Sequence, residues 1–261
     1  MSGSNSYENP RDVLNRQLAF DYCLTQGEVA DHSNHFSEFQ PLDGRRQFRT
    51  SDDCPLKVAA VNGKLLFTGK KEIVEACRKL YTETSGDWFM DIKNFRALDA
   101  LVIPYGYRLE SAHPFFLPDF GRLGAEDVAD VVRADVEIAK YDRDAIEQFR
   151  GDERFSNAYS FEETAPDMLG VGAVSNGEFL GMAGASADSD LLWQIGIDVM
   201  PQSRGKHIGA TLVSILKHDI LESGRMPFYG TSMSNTGSQR VAYHAGFIAA
   251  WSELYAKKET N

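Results

Sequence analysis

The stretch Trp193-Gln-Ile-Gly-Ile-Asp-Val-Met-Pro-Gln-Ser-Arg-Gly-Lys-His-Ile-Gly-Ala210 decides how this chain is read. Trp193, Ile195, Ile197 and Val199 alternate along a strand of about 191–199, and an apolar run from about 208 to 222 reads as a helix. Between them lies a turn with Arg204, Gly205, Lys206 and Gly209. The first N–H groups of a helix have no partner within it, and the macrodipole makes that end positive. Glycines let the backbone approach a phosphate closely. The turn therefore reads either as an anion cradle or as an ordinary strand–helix connection with solvated basic residues.

Working outward, 227–232 reads as a strand, 238–245 as a helix and 247–255 as a last strand. Upstream, 169–174 and 178–185 form a hairpin around Asn176-Gly177. Asn-Gly between apolar runs marks a tight hairpin, because both residues tolerate positive φ. Residues 125–150 are densely charged and read as mainly helical. The order hairpin, strand, helix, strand, helix, strand predicts a mixed α/β sheet.

The region 1–118 predicts a smaller α/β domain. Residues 11–31 read as one helix and 32–55 as loop. A second Asn-Gly hairpin spans 56–68, and helices follow over 70–83 and 94–104. The run His113-Pro-Phe-Phe-Leu-Pro118 reads as an extended connector, which places a domain boundary between 118 and 119. A theme recurs in both halves: a helix ends at Tyr105-Gly106-Tyr107 and again at Ala245-Gly246-Phe247. Duplication and coincidence both account for it, and coincidence is the simpler account.

Other phosphate signatures fit less well. No G-x-G-x-x-G is present. The run Gly63-Lys-Leu-Leu-Phe-Thr-Gly69-Lys-Lys71 has five residues between its glycines and Lys71 where Ser or Thr holds magnesium. The 261 residues carry 27 basic and 38 acidic side chains, a net charge of −11, which disfavours nucleic acid and anionic membrane as partners. No segment reaches the roughly 18 apolar residues of a membrane helix. Cys23, Cys54 and Cys77 form no CxxC, and Met1–Pro10 has no apolar leader core. The expectation is a cytoplasmic protein with reduced thiols. His32 and His35 share a polar loop with no third ligand, so no metal is expected.

Residues 191–255 resemble the signature region of the GNAT superfamily of acetyltransferases. Its motif [Q/R]-x-x-G-x-[G/A] falls on Arg204, Gly205, Lys206, His207, Ile208 and Gly209, with His207 in place of the first glycine. The downstream pattern N-x-x-[A/S] … Y-x-x-x-G-F falls on Asn235, Ser238 and Gly246-Phe247, with Ala242 where the family has tyrosine and Tyr243 one residue later. The resemblance covers about 90–140 residues. It implies a GNAT acyl-CoA-binding fold in the C-terminal half, with acetyl-CoA as co-substrate. The amides and side chains at 204–209 would hold the pyrophosphate, Asn235 and Ser238 would flank the pantetheine arm, and an N–H near Val199 would polarise the thioester carbonyl.

The same resemblance implies direct attack by a bound amine, on a small molecule or a peptide. Tyr243 is then the candidate acid for the departing thiolate, with Asp198 and Glu162 (or its neighbour Glu163) the candidate bases. Family habit also suggests a homodimer. Ala242 and His207 keep a second reading open, a non-catalytic acyl-CoA sensor or interaction protein on the same fold.

Overall fold

A computed structural model describes residues 7–47, 53–121 and 136–259. Its elements, in chain order, begin with α1 (Pro10–Asp21), α2 (Gln26–Ala30), β1 (His35–Glu38), β2 (Leu56–Val61) and β3 (Lys64–Gly69). Next come α3 (Lys71–Tyr81), α4 (Ile92–Val102), β4 (Tyr107–Pro118), β5 (Glu137–Asp142) and α5 (Arg143–Ile146). The remainder are β6 (Asp167–Ser175), β7 (Glu178–Ser186), β8 (Leu192–Val199), α6 (Ile208–Glu222), β9 (Met226–Gly230), α7 (Thr236–His244) and β10 (Phe247–Lys258).

The strands form one ten-stranded sheet in the order β1-β3-β2-β10-β4-β9-β8-β7-β6-β5. The pairs β1–β3 and β8–β9 are parallel and the others antiparallel. Both Asn-Gly turns take positive φ at each residue, 50° and 77° at 62–63 and 52° and 80° at 176–177, which fixes the hairpin registers. α3, α4, α6 and α7 cover one face. There Leu212, Leu216 and Ile220 pack on Ala183, Ala185, Ile195 and Tyr229, and Ile73, Cys77 and Leu98 pack on Phe67 and Leu254. On the other face α1 sets Leu14 and Leu18 against Leu192, Phe228 and Trp251. The segment 146–159 seals the rest of that face with Phe149, Phe155 and Tyr159 over Met182.

Three sequence expectations need correction. Residues 11–31 hold two helices, because the Thr25 side chain accepts from Glu28 N and begins a new helix in a capping box. Within 32–55, His35–Glu38 is a strand that pairs with β3. Residues 137–142, expected to be helical, form edge strand β5, which pairs with β6 and leaves Glu137, Lys140 and Asp142 exposed. Most of the predicted helix at 125–150 otherwise lies outside the described residues.

β4 is hydrogen-bonded into the middle of the sheet. It pairs along its length with β10, from Phe247↔Pro118 to Lys258↔Tyr107, and with the end of β9 at Phe115↔Gly230 and Phe116↔Tyr229. Each of these 12-residue strands follows a helix and a left-handed glycine, Gly106 at φ 80° and Gly246 at φ 78°.

Candidate active site: a forked sheet and an amide-lined turn

β8 and β9 pair only from Leu192↔Met226 to Ile195↔Tyr229. Beyond that point β8 runs on through Gly196–Val199 while β9 ends at Gly230, so the sheet forks. Met200 gives its N–H to Leu180 O of β7 at 2.9 Å. By strand alternation the N–H of Val199 points the other way, into the fork.

After β8 the chain makes a single 3-10 turn at Pro201–Ser203 and enters α6. Ser203 N and Arg204 N bond back to Met200 O and Pro201 O, and Thr211 N reaches His207 O. Among the described residues, the intervening N–H groups from Gly205 to Ala210 have no protein acceptor. His207 is the N-cap, with φ 61°, and its side chain makes no capping bond. This left-handed conformation is the one a glycine adopts freely, which accounts for the family's glycine at that place. The His207 ring lies edge-on to His244 at 5.6 Å, on the α7 side. Gly209 abuts Val199 and Val241, so a β-carbon there would sit 3.0 Å from Val199 Cγ2. It lets α6 start close against the end of β8. Lys206 is exposed, and Arg204 is exposed with its Nε 3.3 Å from Val199 O.

Asn235 caps α7 by accepting from Ser238 N at 3.1 Å. The Ser238 hydroxyl lies 2.8 Å from that of Tyr229, whose phenol is buried and pushed up to about 12 by that burial. Ala242 is fully buried against α6, and Tyr243 is 47% exposed, its ring edge-on to Phe116 at 5.5 Å. α7 is regular from Thr236 to His244.

Asp198 is half-buried on the face opposite α6. Its oxygens accept from Asn157 N (2.9 Å), Ala158 N (3.0 Å) and Asn157 Nδ2 (2.6 Å). It thereby braces the covering segment at the fork. That segment then crosses Gly184 and Gly170 to Phe161, whose N–H bonds Asp167 at 2.8 Å. Asp167 pairs with Ser186, which faces Gln194 at the start of β8. Glu162 is therefore carried toward the opposite end of β8 from Val199, and Glu163 is exposed there. Val199 and residues 204–209 thus lie at the β8–α6 junction, Asn235 and Ser238 open α7, which meets Gly209 through Val241, and Asp198 faces the covering segment on the other side of β8.

His113 and Ser111, on the β4 strand beside the fork, escape the sequence reading. Taking 113–118 as a connector hides the signal, a Ser-x-His spacing that puts both side chains on one face of a strand.

Residues 137–247 match the model of the acetyltransferase (GNAT) family. The match includes the fork, the amide-lined turn and α7. Residues before 137 and after 247 lie outside the match. No curated protein matches the chain. Among solved structures, a GCN5-related N-acetyltransferase-like protein from Streptococcus suis is 15% identical over 82% of this chain and 89% of its own, with a TM-score of 0.47. A GNAT-family acetyltransferase from Colwellia psychrerythraea is 16% identical over 96% and 98%, with a TM-score of 0.43. An aminoglycoside N-acetyltransferase solved in complex with CoA is 20% identical over 44% and 89%, with a TM-score of 0.34.

Among the described residues no helix is long and apolar enough to cross a membrane, and no group of three or more His, Cys, Asp or Glu is placed to hold a metal.

Proposed function

We propose that this protein is an N-acetyltransferase that moves an acetyl group from acetyl-CoA to a primary amine on a small molecule or peptide. One observation carries the reading: a run of unpaired backbone N–H groups, Gly205 to Ala210, opens a fifteen-residue helix beside a forked sheet. Such a run suits a pyrophosphate, because the amides and the helix dipole present positive potential without a lysine cluster. Arg204 and Lys206 add the local charge that an acidic protein needs to attract an anion. The fork admits a slender arm between β8 and β4, and the Val199 N–H is aimed where a thioester carbonyl would gain negative charge. Bound acetyl-CoA supplies an activated acyl group, and the protein's part is to orient it and manage protons. The free cysteines suit a cytoplasmic location.

The test is a thermal-unfolding scan with acetyl-CoA. At 100 times its dissociation constant a ligand stabilises by about 2.7 kcal/mol, a rise of several degrees at this size. A rise with acetyl-CoA and none with free pantetheine supports the cradle. No rise at millimolar acetyl-CoA sinks it.

A second reading, an acyl-CoA-binding protein without turnover, draws on α7. Ala242 fills the core where the family carries tyrosine, and the Tyr243 ring leans on Phe116. Release of free thiol from acetyl-CoA in the presence of amines separates the two readings, since both expect binding.

A further inference from the structure

α7 carries a small residue where the family has tyrosine. Ala242 is fully buried in the cluster that also holds Phe116, Tyr229, Ala245 and Phe247. A buried hydroxyl on the same side of the sheet comes instead from the strand beneath. Tyr229 is the last residue of β9 to pair with β8, opposite Ile195, and on its other side it pairs with Phe116 of β4. Its backbone therefore stands where the sheet begins to fork. Its ring lies 6.5 Å from that of Phe116 and 6.1 Å from that of Phe247. The hydroxyl ends 2.8 Å from Ser238 Oγ, in the first turn of α7.

Ser238 is held close to the junction of β8 and α6. The Asn235 cap fixes its N–H at 3.1 Å. One turn further along α7, Val241 meets Val199 over Gly209, where a β-carbon would lie 3.3 Å from the first valine and 3.0 Å from the second. Residues three apart on a helix are neighbours, about 5–6 Å between their β-carbons. Ser238 is therefore about one helical turn from the contact with Val199, whose N–H points into the fork.

The two hydroxyls share one hydrogen bond, and burial sets its direction. If Ser238 donated, the Tyr229 proton would be left without an acceptor on a side chain only 1% exposed. Burying an unmet donor is unfavourable, so Tyr229 donates to Ser238 Oγ. Burial also pushes the phenol up to about 12, which keeps that proton in place near neutral pH. Ser238 is half-buried, and among the described residues its own proton has no acceptor. Ala242 lies one turn beyond Ser238 on the same face, and its small side chain leaves room for the phenol.

We propose that Ser238 is a catalytic residue that gives a hydrogen bond to the sulfur as it leaves, and that Tyr229 is the positioning residue that aims it. The assignment rests on the acetyltransferase reading, in which the Val199 N–H polarises the carbonyl bonded to that sulfur. The amine nitrogen forms the C–N bond, the C–S bond breaks, and its electron pair goes to sulfur. There the Ser238 O–H meets the new negative charge. The proton that completes the thiol comes from the nitrogen, so Ser238 and Tyr229 end the cycle unchanged.

The experiment uses the full chain with CoA itself as the probe. The ultraviolet absorbance of the thiolate is followed with pH for bound CoA, in the parent, Ser238→Ala and Tyr229→Phe. Acetyl-CoA thermal shifts and thiol release with a panel of primary amines are recorded alongside. A hydrogen bond to the thiolate should hold the bound thiol about 1 pH unit or more below free CoA in the parent. Ser238→Ala should return it to the free value and lower kcat about ten- to a hundredfold, with KM for acetyl-CoA within about threefold. Tyr229→Phe keeps the serine hydroxyl but loses its aim, and should give a smaller thiol shift and a kcat loss of about three- to tenfold. A parent whose bound thiol titrates like free CoA, or a Ser238→Ala protein that keeps the parent's titration, overturns the proposal. Loss of the acetyl-CoA thermal shift in Ser238→Ala also overturns it, since the hydroxyl is then a binding contact. A Tyr229→Phe protein that matches the parent in both readouts overturns the positioning role. The thiol titration needs no acceptor, so a parent that binds acetyl-CoA but turns over no amine overturns the acetyltransferase reading while the titration still decides whether Ser238 faces sulfur. A parent chain with no acetyl-CoA shift overturns that reading and this proposal with it.

Discussion

His207 holds a left-handed backbone position, φ 61°, at the mouth of α6, and its side chain caps nothing. A non-glycine residue there carries a strain of about 1 kcal/mol. His207→Gly should therefore raise Tm by about 2–4 °C in a calorimetric scan. The same variant reports on chemistry: acetyl-CoA affinity should hold or improve if the backbone makes the cradle, and should fall if the imidazole itself meets a phosphate. Arg204 is exposed, and among the described residues its side chain donates one long hydrogen bond, to Val199 O, so its guanidinium is at little cost to redirect. Arg204→Ala should weaken acetyl-CoA about tenfold by calorimetric titration, in line with loss of one charge-assisted bond. An unchanged affinity would count against a phosphate at this turn. Tyr243 leans on Phe116 and is 47% exposed, and among the described residues its hydroxyl has no partner, so Tyr243→Phe should keep turnover within twofold. A tenfold loss in a thiol-release assay would reinstate it as the acid.

At the scale of elements, the covering segment depends on glycines in register. Gly170 pairs with Gly184 and Gly184 with Gly196, which makes a groove across β6, β7 and β8. A β-carbon at Gly184 would lie 2.1 Å from Ala158 O, and one at Gly196 would lie 1.9 Å from Asn157 O. Both obstacles are backbone, so they yield only if the segment lifts. Gly184→Ala should destabilise by about 2–3 kcal/mol in urea titration. It should also loosen the Asn157 grip on Asp198 and open the rim of the fork. A loss under about 0.5 kcal/mol would show that the segment rides free of the sheet. These three glycines stand in the sequence without any local turn signal. Their meaning lies in cross-strand register, which a one-dimensional reading does not contain.

Across the whole molecule, a buried charge network ties the first third of the chain to the last strand. Arg46 gives its Nε to Asp21 and a terminal nitrogen to Glu253, each at 2.5 Å, and lies over Phe115, Phe228 and Trp251. Burial raises the Asp21 carboxyl, but the charges of Arg46 and Lys57 outweigh it and hold the group below its usual range. Asp188 lies nearby and accepts from the Ser186 hydroxyl at 2.7 Å, and burial pushes it up to about 7 from 3.8. The folded state therefore binds this proton more tightly than the unfolded one. The stabilisation is whole below about pH 4 and is lost as pH rises through 7, at up to about 1.4 kcal/mol per pH unit. Asp188→Asn is neutral throughout, so its stability relative to the parent should climb between pH 5 and pH 8 in urea titrations. A constant difference over that range would mean that Asp188 ionises freely in the fold.

The elements that frame the candidate site were legible in one dimension, because they are local. Strand alternation at 193–199, the Arg-Gly-Lys turn and the apolar periodicity of 208–222 lie within thirty residues or so, and backbone sterics with helix-end electrostatics need nothing more distant. The two Asn-Gly hairpins were readable for the same reason. The place of β4 was not: the same Pro-Phe-Phe stretch serves equally as a connector or as a central strand until β9 and β10 accept its hydrogen bonds. Nor was the shift of Glu162 away from the fork, which follows from the path of its segment over three aligned glycines. The pairing of His113 with Ser111 and Thr231 joins residues 118 positions apart. Local chemistry determined that a strand, a basic turn and a helix follow one another here, and only the tertiary sheet, by ending β9 early between two longer strands, decided which side chains face the fork that results.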